Sequence, residues 1–418
     1  MRVLILGSGG REHALAWKLS QSSRLTKLWC APGNPGTAAF ASSVPLSLND
    51  NLAVVAQALA LGVDLVVVGP EAPLVNGVAD ALRAAGVRVF GPNAGAAQIE
   101  GSKAFSKQVM KRAGIPTADY RQFENLDQAV KYAQQLENCV VKADGLAAGK
   151  GVVVADSPAE AVRAIEALGQ LEAGKKLLIE ERLNGPEVSV IALCDGKRYL
   201  LMPPARDHKR VNEGDLGANT GGMGAYCASD LLSNKALASI GREVIEPALV
   251  ELERIGRPFS GALYAGLMLT PQGIKVIEFN CRLGDPETQV LMLQMDPAED
   301  LLPLLVDCAR GELTASRILN SQPGVSIGVV LAARGYPESP QLGDEIRGLG
   351  DLPKTSTVFQ AGTRQREDKL VTAGGRVLTV CARGDSLEEA RMRSELLISR
   401  LGFEGMHYRR DIGVSRPS

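Results

Sequence analysis

No two of the seven cysteines stand in a C-x-x-C pair, and their number is odd. That excludes the spacing of a zinc site or a disulfide framework and fits reduced thiols. Histidine is scarcer still: His13, His208 and His407 are far apart, so a histidine-based metal centre is not expected. Long apolar runs are missing, the longest, such as 325–333, being far too short to span a bilayer. The opening MRVLILGSGG enters a strand at once and lacks a cleavage site, so a signal peptide is not expected. Charge of either sign is not in excess, with 46 Lys and Arg against 47 Asp and Glu. Nothing here suggests a nucleic-acid footprint or adhesion to a membrane. Internal repeats and low-complexity tracts are also absent. What remains is the expectation of a cytoplasmic protein long enough for roughly two to four domains.

The most informative stretch is 140–155, VVKADGLAAGKGVVVA. Valine runs on either side predict a hairpin, and Gly145, Gly149 and Gly151 leave backbone N–H groups uncovered at its tip. Lys142 and Lys150 add positive charge, a combination suited to a polyphosphate. A Walker loop is excluded. The spacing Gly145 to Gly149-Lys150 is one residue short, no hydroxyl follows, and a strand comes next in place of a helix. A plain glycine-rich turn is the alternative.

Residues 1 to about 100 alternate strand and helix: strands at 3–6, 25–30, 65–68 and 87–90, helices at 13–19, 52–61 and 78–85. That order predicts a parallel sheet with ligands beyond the carboxyl ends of its strands. The first such end, GSGGRE at 7–12, invites a dinucleotide reading and fails it. Glu12 stands where the third glycine belongs, and no ribose-binding acid ends the second strand. Gly9 and Gly10 still open a helix N-terminus where a phosphate could sit. Glu71 could meet a sugar hydroxyl or cap the next helix.

Residues 100–113 read as one helix with Lys103, Lys107 and Lys111 on one face, a pattern more often solvated than functional. The segment 180–187 reads as an acidic hairpin. The stretch 205–226, ARDHKRVNEGDLGANTGGMGAY, lacks periodicity and is expected to be a long active-site loop, with Asp207, Lys209, Arg210 and 219–224 as its candidates. A long helical region at 232–255 precedes two strands, 260–270 and 273–279. At the end of the second, Glu278 and Asn280 share a strand face with Phe279 turned away. A carboxylate beside an amide oxygen suits a hard cation such as magnesium. Arg282 and the turn Asp285-Pro286-Glu287 follow directly. From about 319 the pattern becomes a small α+β unit with no evident chemistry of its own.

These pieces, in register, resemble the glycinamide ribonucleotide synthetase family of the ATP-grasp superfamily. The resemblance rests on LGSGGREHALAW at 6–17, APGNPGT at 31–37, GPEAPL at 69–74, GSKAFSK at 101–107 and VKADGLAAGKGV at 141–152. It continues through DHKR at 207–210, NTGGMGAY at 219–226, LYAGLM at 263–268, EFNCRLGDPETQ at 278–289 and FEGMHYRRDIG at 403–413. It implies an α/β and α+β multidomain chain. The expected domains are a Rossmann-like (pre-ATP-grasp) parallel-sheet domain at 1–101, a two-lobed ATP-grasp domain at 102–318 with its lid lobe at about 117–190, and a small C-terminal α+β domain at 319–418.

The resemblance also implies roles. ATP is expected on Lys103, Lys142, Gly145, Gly149, Lys150, Gly151, Glu180, Glu181, Leu183 and Glu187, and Mg2+ (or Mn2+) on Glu278 and Asn280. Gly9, Gly10, Glu71, Asp207, Lys209, Asn219, Arg282 and Asp285 are expected to hold the other substrates, with Arg282, Lys142 and Asp207 catalytic. The implied reaction joins glycine to 5-phosphoribosylamine with conversion of ATP to ADP and phosphate through glycyl phosphate, a step of de novo purine synthesis, in a monomer or weak dimer. The alternatives are another ATP-grasp ligase or a carboxylase and, further off, a nicotinamide oxidoreductase. Three details depart from the family pattern: Ala218 replaces a proline, Arg334 a glycine, and 262–269 carries no additional metal-binding acid.

Overall fold

The computed structural model describes residues 1–147, 151–350 and 356–414. Gly149 and Lys150 therefore lie outside the described residues. The first sheet is built from β1 (Arg2–Gly7), β2 (Lys27–Pro32), β3 (Ser42–Ser43), β4 (Leu65–Val68) and β5 (Val89–Phe90), all parallel in the order β3-β2-β1-β4-β5. Its strands are apolar on both faces because both are covered. Val3 and Ile5 pack into one core while Leu4 and Leu6 pack into another, and both cores run on into the large lobe through Ile191 and Val190.

The chain then crosses into a four-stranded antiparallel sheet of β6 (Tyr120–Phe123), β7 (Cys139–Ala143), β8 (Val152–Ala155) and β9 (Leu177–Glu180), ordered β6-β9-β7-β8. The expected 140–155 hairpin is present, with Val140 opposite Val154 and Lys142 opposite Val152. Two helices, Leu126–Ala133 and Pro158–Gly169, close over this sheet through a small core of alanines with Val141, Ile165, Leu168 and Ile179. Each large aliphatic side chain there contributes about 1.5–3 kcal/mol by leaving water.

The largest sheet and its outliers comprise β10 (Glu187–Asp195), β11 (Tyr199–Leu201), β12 (Ala205–Asp207), β15 (Gly224–Ala228), β16 (Ser260–Thr270), β17 (Gly273–Asn280), β18 (Arg317–Ile318), β19 (Val325–Ala332), β20 (Ser356–Gln360) and β23 (Arg376–Gly384). Two separate hairpins carry β13 (Arg210–Asn212) with β14 (Leu216–Asn219), and β21 (Thr363–Arg366) with β22 (Lys369–Thr372). The main order is β17-β16-β10-β12-β15-β19-β23-β20. Strands on either side of residue 319 thus belong to one sheet, joined where β15 pairs antiparallel with β19.

Three local expectations change. Residues 100–113 are two helices, Ala94–Gly101 and Lys103–Arg112, because extended Ser102 interrupts them and its hydroxyl caps the second by accepting the Phe105 N–H at 3.1 Å. The segment 180–187 is not a hairpin: β9 pairs with β6 and β7, whereas β10 pairs with β16, so residues 181–186 connect two sheets. The stretch 205–226 is not an open loop. It contains four short strands, and polar residues kept their periodicity from showing.

Candidate active site

The site lies where the small sheet faces β17 and the carboxyl ends of the parallel strands. A bulge in the β16–β17 pairing skips Ile277 and sets Glu278 opposite Gly266. Burial works to raise the Glu278 carboxyl, but Lys209, Lys142, Lys103 and Arg282 overcome it and hold the group below the usual carboxylate range. Lys209 Nζ lies 3.9 Å from Glu278 and 3.2 Å from Glu187. Lys103 donates to the Gly145 carbonyl at 2.9 Å, which places the start of the helix Lys103–Arg112 against the hairpin tip. Asp144 accepts from the Ala104 N–H and the Ser102 hydroxyl, tying the hairpin to the same helix start.

Lys142 is buried beneath this arrangement. Its amine meets Glu180 Oε2 at 3.0 Å and the Ile277 carbonyl at 3.2 Å. Glu180, expected among the ATP-binding residues, ends β9, and its carboxylate turns inward to the lysines. Lys107 reaches the same oxygen at 2.9 Å. The basic stripe is therefore not a solvated face: Lys103 is half-buried, Lys107 buried and only Lys111 exposed. Glu181 pairs outward with Lys275 at 3.0 Å, and half-buried Leu183 lies on the connector.

A second group gathers around Arg282. Its guanidinium lies 3.1 Å from Glu100 and 3.4 Å from Glu71, the latter contact too oblique for a hydrogen bond through Nε. Glu71 starts the helix Glu71–Val75, so it combines a place in the first helical turn with an ion pair. Burial acts to raise Glu71, yet Arg282 and Arg11 hold it low. Glu100 is driven the other way, its carboxyl raised by burial against the pull of Arg282.

Gly9 and Gly10 differ from expectation. The Gly9 N–H is already taken by Glu12 Oε2 at 2.6 Å, so this donor of the helix start is not spare for an anion. At Gly10 a side chain would strike the Gln289 amide, its Cβ falling 2.7 Å from that nitrogen. Asp285 accepts from Gln289 at 2.7 Å and pairs with Arg376 at 3.0 Å. Arg376 comes from β23 and also donates to the Gly221 carbonyl at 2.7 Å. The C-terminal unit, expected to lack chemistry, thus contributes a cation.

Asp207, at the end of β12, keeps one carboxylate oxygen buried without a hydrogen-bond partner among the described residues. Burial, with Glu287 next, raises its pKa well above the usual range. Gly222 lies over it at φ +114°, and a Cβ there would come within 2.8 Å of that oxygen. Asn219 ends β14 and donates to the Val152 carbonyl at 3.3 Å, joining this flap to the hairpin. Asn280 ends β17 on the same face as Glu278. The described residues contain no cluster of three or more His, Cys, Asp or Glu arranged around a metal. One ionised carboxylate with one amide oxygen fits a cation that retains water and phosphate ligands, as magnesium does, better than an all-protein cage.

Glu100, Lys107 and Arg376 escaped the sequence reading as site residues, while Glu287 appears there only as part of the turn after Arg282. Lys107 carried a usable signal: it stands one helical turn beyond Lys103, so an inward Lys103 brings it inward too. Arg376 carried none, since no local pattern links it to a loop 91 residues away. All seven cysteines are buried and unpaired. No helix among the described residues is long and apolar enough to cross a membrane.

Comparison with known proteins places this geometry among relatives. Three family models for phosphoribosylglycinamide synthetase match most of the chain: the N domain at 1–100, the ATP-grasp (A) domain at 101–288 and the C domain at 326–415. A phosphoribosylamine–glycine ligase of Rhodopirellula baltica is 47% identical over 423 residues, covering 98% of this chain and 96% of its own. One from Mesorhizobium japonicum is 47% identical over 418 residues, covering 99% and 98%. The crystal structure of phosphoribosylamine–glycine ligase from Thermotoga maritima superposes with a TM-score of 0.84 at 34% identity, covering 99% of this chain and all of that one. Biotin carboxylase from Campylobacter jejuni, solved as a β,γ-ATP complex, shares the fold alone, with a TM-score of 0.73 at 15% identity over 99% and 94% of the two chains.

Proposed function

The chain belongs to the phosphoribosylglycinamide synthetase family, and from that premise we infer that it joins glycine to 5-phosphoribosylamine with conversion of ATP to ADP and phosphate. The observation that carries the reading is the convergence of Lys103, Lys142, Lys209 and Glu278 beneath a glycine-bearing hairpin, with full-length likeness to ligases of that name.

The proposed mechanism asks mainly for positioning and charge neutralisation, which is what phosphoryl transfer needs. Lys103 and Lys142 meet the ATP phosphates beside the hairpin formed by β7 and β8. The connector at 180–183 receives adenine, and Glu187 a ribose hydroxyl. Glu278 and Asn280 would hold Mg2+ (or Mn2+), which when bound offsets phosphate charge. A glycine carboxylate oxygen attacks the γ-phosphorus, the bond to the β-phosphate bridging oxygen breaks, and ADP leaves. The phosphoribosylamine nitrogen then adds to the carbonyl carbon of glycyl phosphate, and phosphate departs with the C–O bond. Asp207, whose carboxyl is raised by burial and by Glu287, takes the amine proton, since a carboxylate with a raised pKa is the stronger proton acceptor. Arg282 steadies the acyl phosphate, and Glu71, Asp285, Lys209, Asn219 and the Gly9–Gly10 turn border the phosphoribosylamine. The covering hairpin keeps water from the acyl phosphate.

The same proposal includes the division at 101/102 and 318/319, a lid lobe at about 117–190, a cytoplasmic location and a monomer or weak dimer. The family-model limits at 100/101 and 288/326 support the division. The small sheet accounts for 120–180, while β10 from Glu187 pairs in the large sheet.

The test is ADP release with ATP, glycine and fresh 5-phosphoribosylamine, each omitted in turn, and with bicarbonate in place of glycine. ADP formation is expected only when glycine is present. Turnover indifferent to glycine would sink the reading.

A further inference from the structure

Two lysines converge on one carboxylate oxygen at the floor of the site, and their remaining donors are spent differently. Lys107 Nζ donates to the Thr117 hydroxyl at 2.8 Å and the Ala118 carbonyl at 3.2 Å and forms an ion pair with Glu180 Oε2 at 2.9 Å. Two of its three N–H donors are thus held by fixed neutral acceptors beside the carboxylate. Lys142 forms an ion pair with the same Glu180 oxygen at 3.0 Å and donates, among the described residues, only to the Ile277 carbonyl. It is therefore the less tethered of the two ammonium groups. The elements differ too: Lys107 rises from the helix Lys103–Arg112, while Lys142 and Glu180 belong to β7 and β9 of the small sheet. Glu180 is 3% exposed, and its other oxygen has no partner among the described residues.

We propose that Lys107 is a positioning residue for the nucleotide: it stays on Glu180 as a standing counter-ion and so frees Lys142 to turn its charge onto the phosphates. The proposal rests on the ATP-site reading given above. Without Lys107, Glu180 would have Lys142 as its sole partner, and a buried carboxylate does not readily release its only cation. With Lys107 in place, Lys142 exchanges one acceptor for a phosphate oxygen while Glu180 remains neutralised. The amine of Lys107 is lowered to about 8 by burial, against the pull of Glu180 and with Lys142 adding to the lowering. The groups facing it are Glu180 on β9, Lys142 on β7, and Asp119 and Tyr120 at the start of β6, with its amine 5.4 Å from the Tyr120 ring centre.

The test is steady-state kinetics and direct ATP binding for the wild type, Lys107→Met, Glu180→Gln and the double variant. Lys107→Met is expected to raise KM and Kd for ATP about tenfold while kcat changes less than threefold. Adding Glu180→Gln is expected to undo most of that loss, because Lys142 is no longer captured. A merely structural role predicts a double variant at least as impaired as Lys107→Met. A pH profile adds an independent readout: wild-type KM for ATP rises through an inflection near pH 8 that Lys107→Met lacks. Should Lys107→Met not fold, Thr117→Val, which removes only one acceptor, gives a twofold to threefold rise in KM. Wild-type affinity in the folded single variant, or in Thr117→Val in its place, overturns the proposal, as does a double variant no better than Lys107→Met. If the wild type itself fails to bind ATP, the site reading falls first.

Discussion

The small sheet and the C-terminal unit both border the candidate site, yet they are joined to the body by different chemistry. The small sheet has its own alanine-rich core, and its recorded links to the body are polar: Lys103 to Gly145, Asp144 to Ser102, Lys107 to Glu180, Lys142 to Ile277, Asn219 to Val152 and Lys275 to Glu181. Such contacts can be exchanged one for another at little net free energy. The C-terminal unit is joined through backbone pairing of β15 with β19 and through fully buried groups. Arg409 is wholly enclosed, donating to Asp411 twice at 2.7 Å, to Asp215 at 2.8 Å and to the Arg210 carbonyl at 3.0 Å. His13, from the first domain, accepts the Gln360 N–H at 2.8 Å between Phe40 and Phe359. The contrast teaches that one border is built to rearrange around a ligand and the other to hold the flap and the first domain in place.

Substitutions on the two borders should therefore separate activity from stability. The largest expected effect is Lys142→Ala, a loss of about 10²–10³ in kcat/KM for ATP, in the range for removing a preorganised charge contact. Its thermal midpoint should stay close to wild type, and a large drop there would break the comparison. Arg409→Gln should do the reverse. Removing one partner of a buried ion pair costs about 3–5 kcal/mol, and the half-exposed Asp215 puts this case at the lower end. Denaturant unfolding measures it, with KM for ATP expected to move little.

Acid should act on the C-terminal border as well. Burial lowers His13 to about 4 from its usual value near 6.5. The unfolded chain then binds the extra proton first, so this contribution is lost as pH falls from about 6.5 to about 4. It amounts to at most roughly 3–4 kcal/mol and should be absent from His13→Gln, as unfolding curves across that range would show. The smallest expected effect is Lys150→Ala, in the glycine-rich stretch of the sequence between Gly149 and Gly151. A change in KM for ATP below about threefold is expected, and a loss equal to that of Lys142→Ala would contradict it.

The sequence was most legible where a local rule governs. The parallel strands, the hairpin at 140–155 and the paired orientation of Glu278 and Asn280 all follow from apolar runs and strand alternation. It was least legible where the fold brings distant segments together. Nothing near Arg376 announces Asp285, and nothing near Glu180 says that it would end β9 while its carboxylate serves two lysines. The flap at 205–226 was hidden for another reason. Its strands are short, β13 and β14 are polar, and the segment is fixed by Arg409, His407 and Tyr336 from outside it, so its own periodicity carries little of the information.

The pairing of β15 with β19 has a consequence for dividing the chain. Five registered pairs, from Gly224 opposite Val329 to Ala228 opposite Val325, run through its buried interior. Cleaving between 318 and 319 and discarding the C-terminal piece would bare an apolar edge strand, the kind of template on which chains stack edge to edge. The truncated piece should precipitate or self-associate. The missing segment, supplied as a separate polypeptide carrying β19, should instead dock as a donated strand and restore solubility, so the two pieces would behave as a split protein.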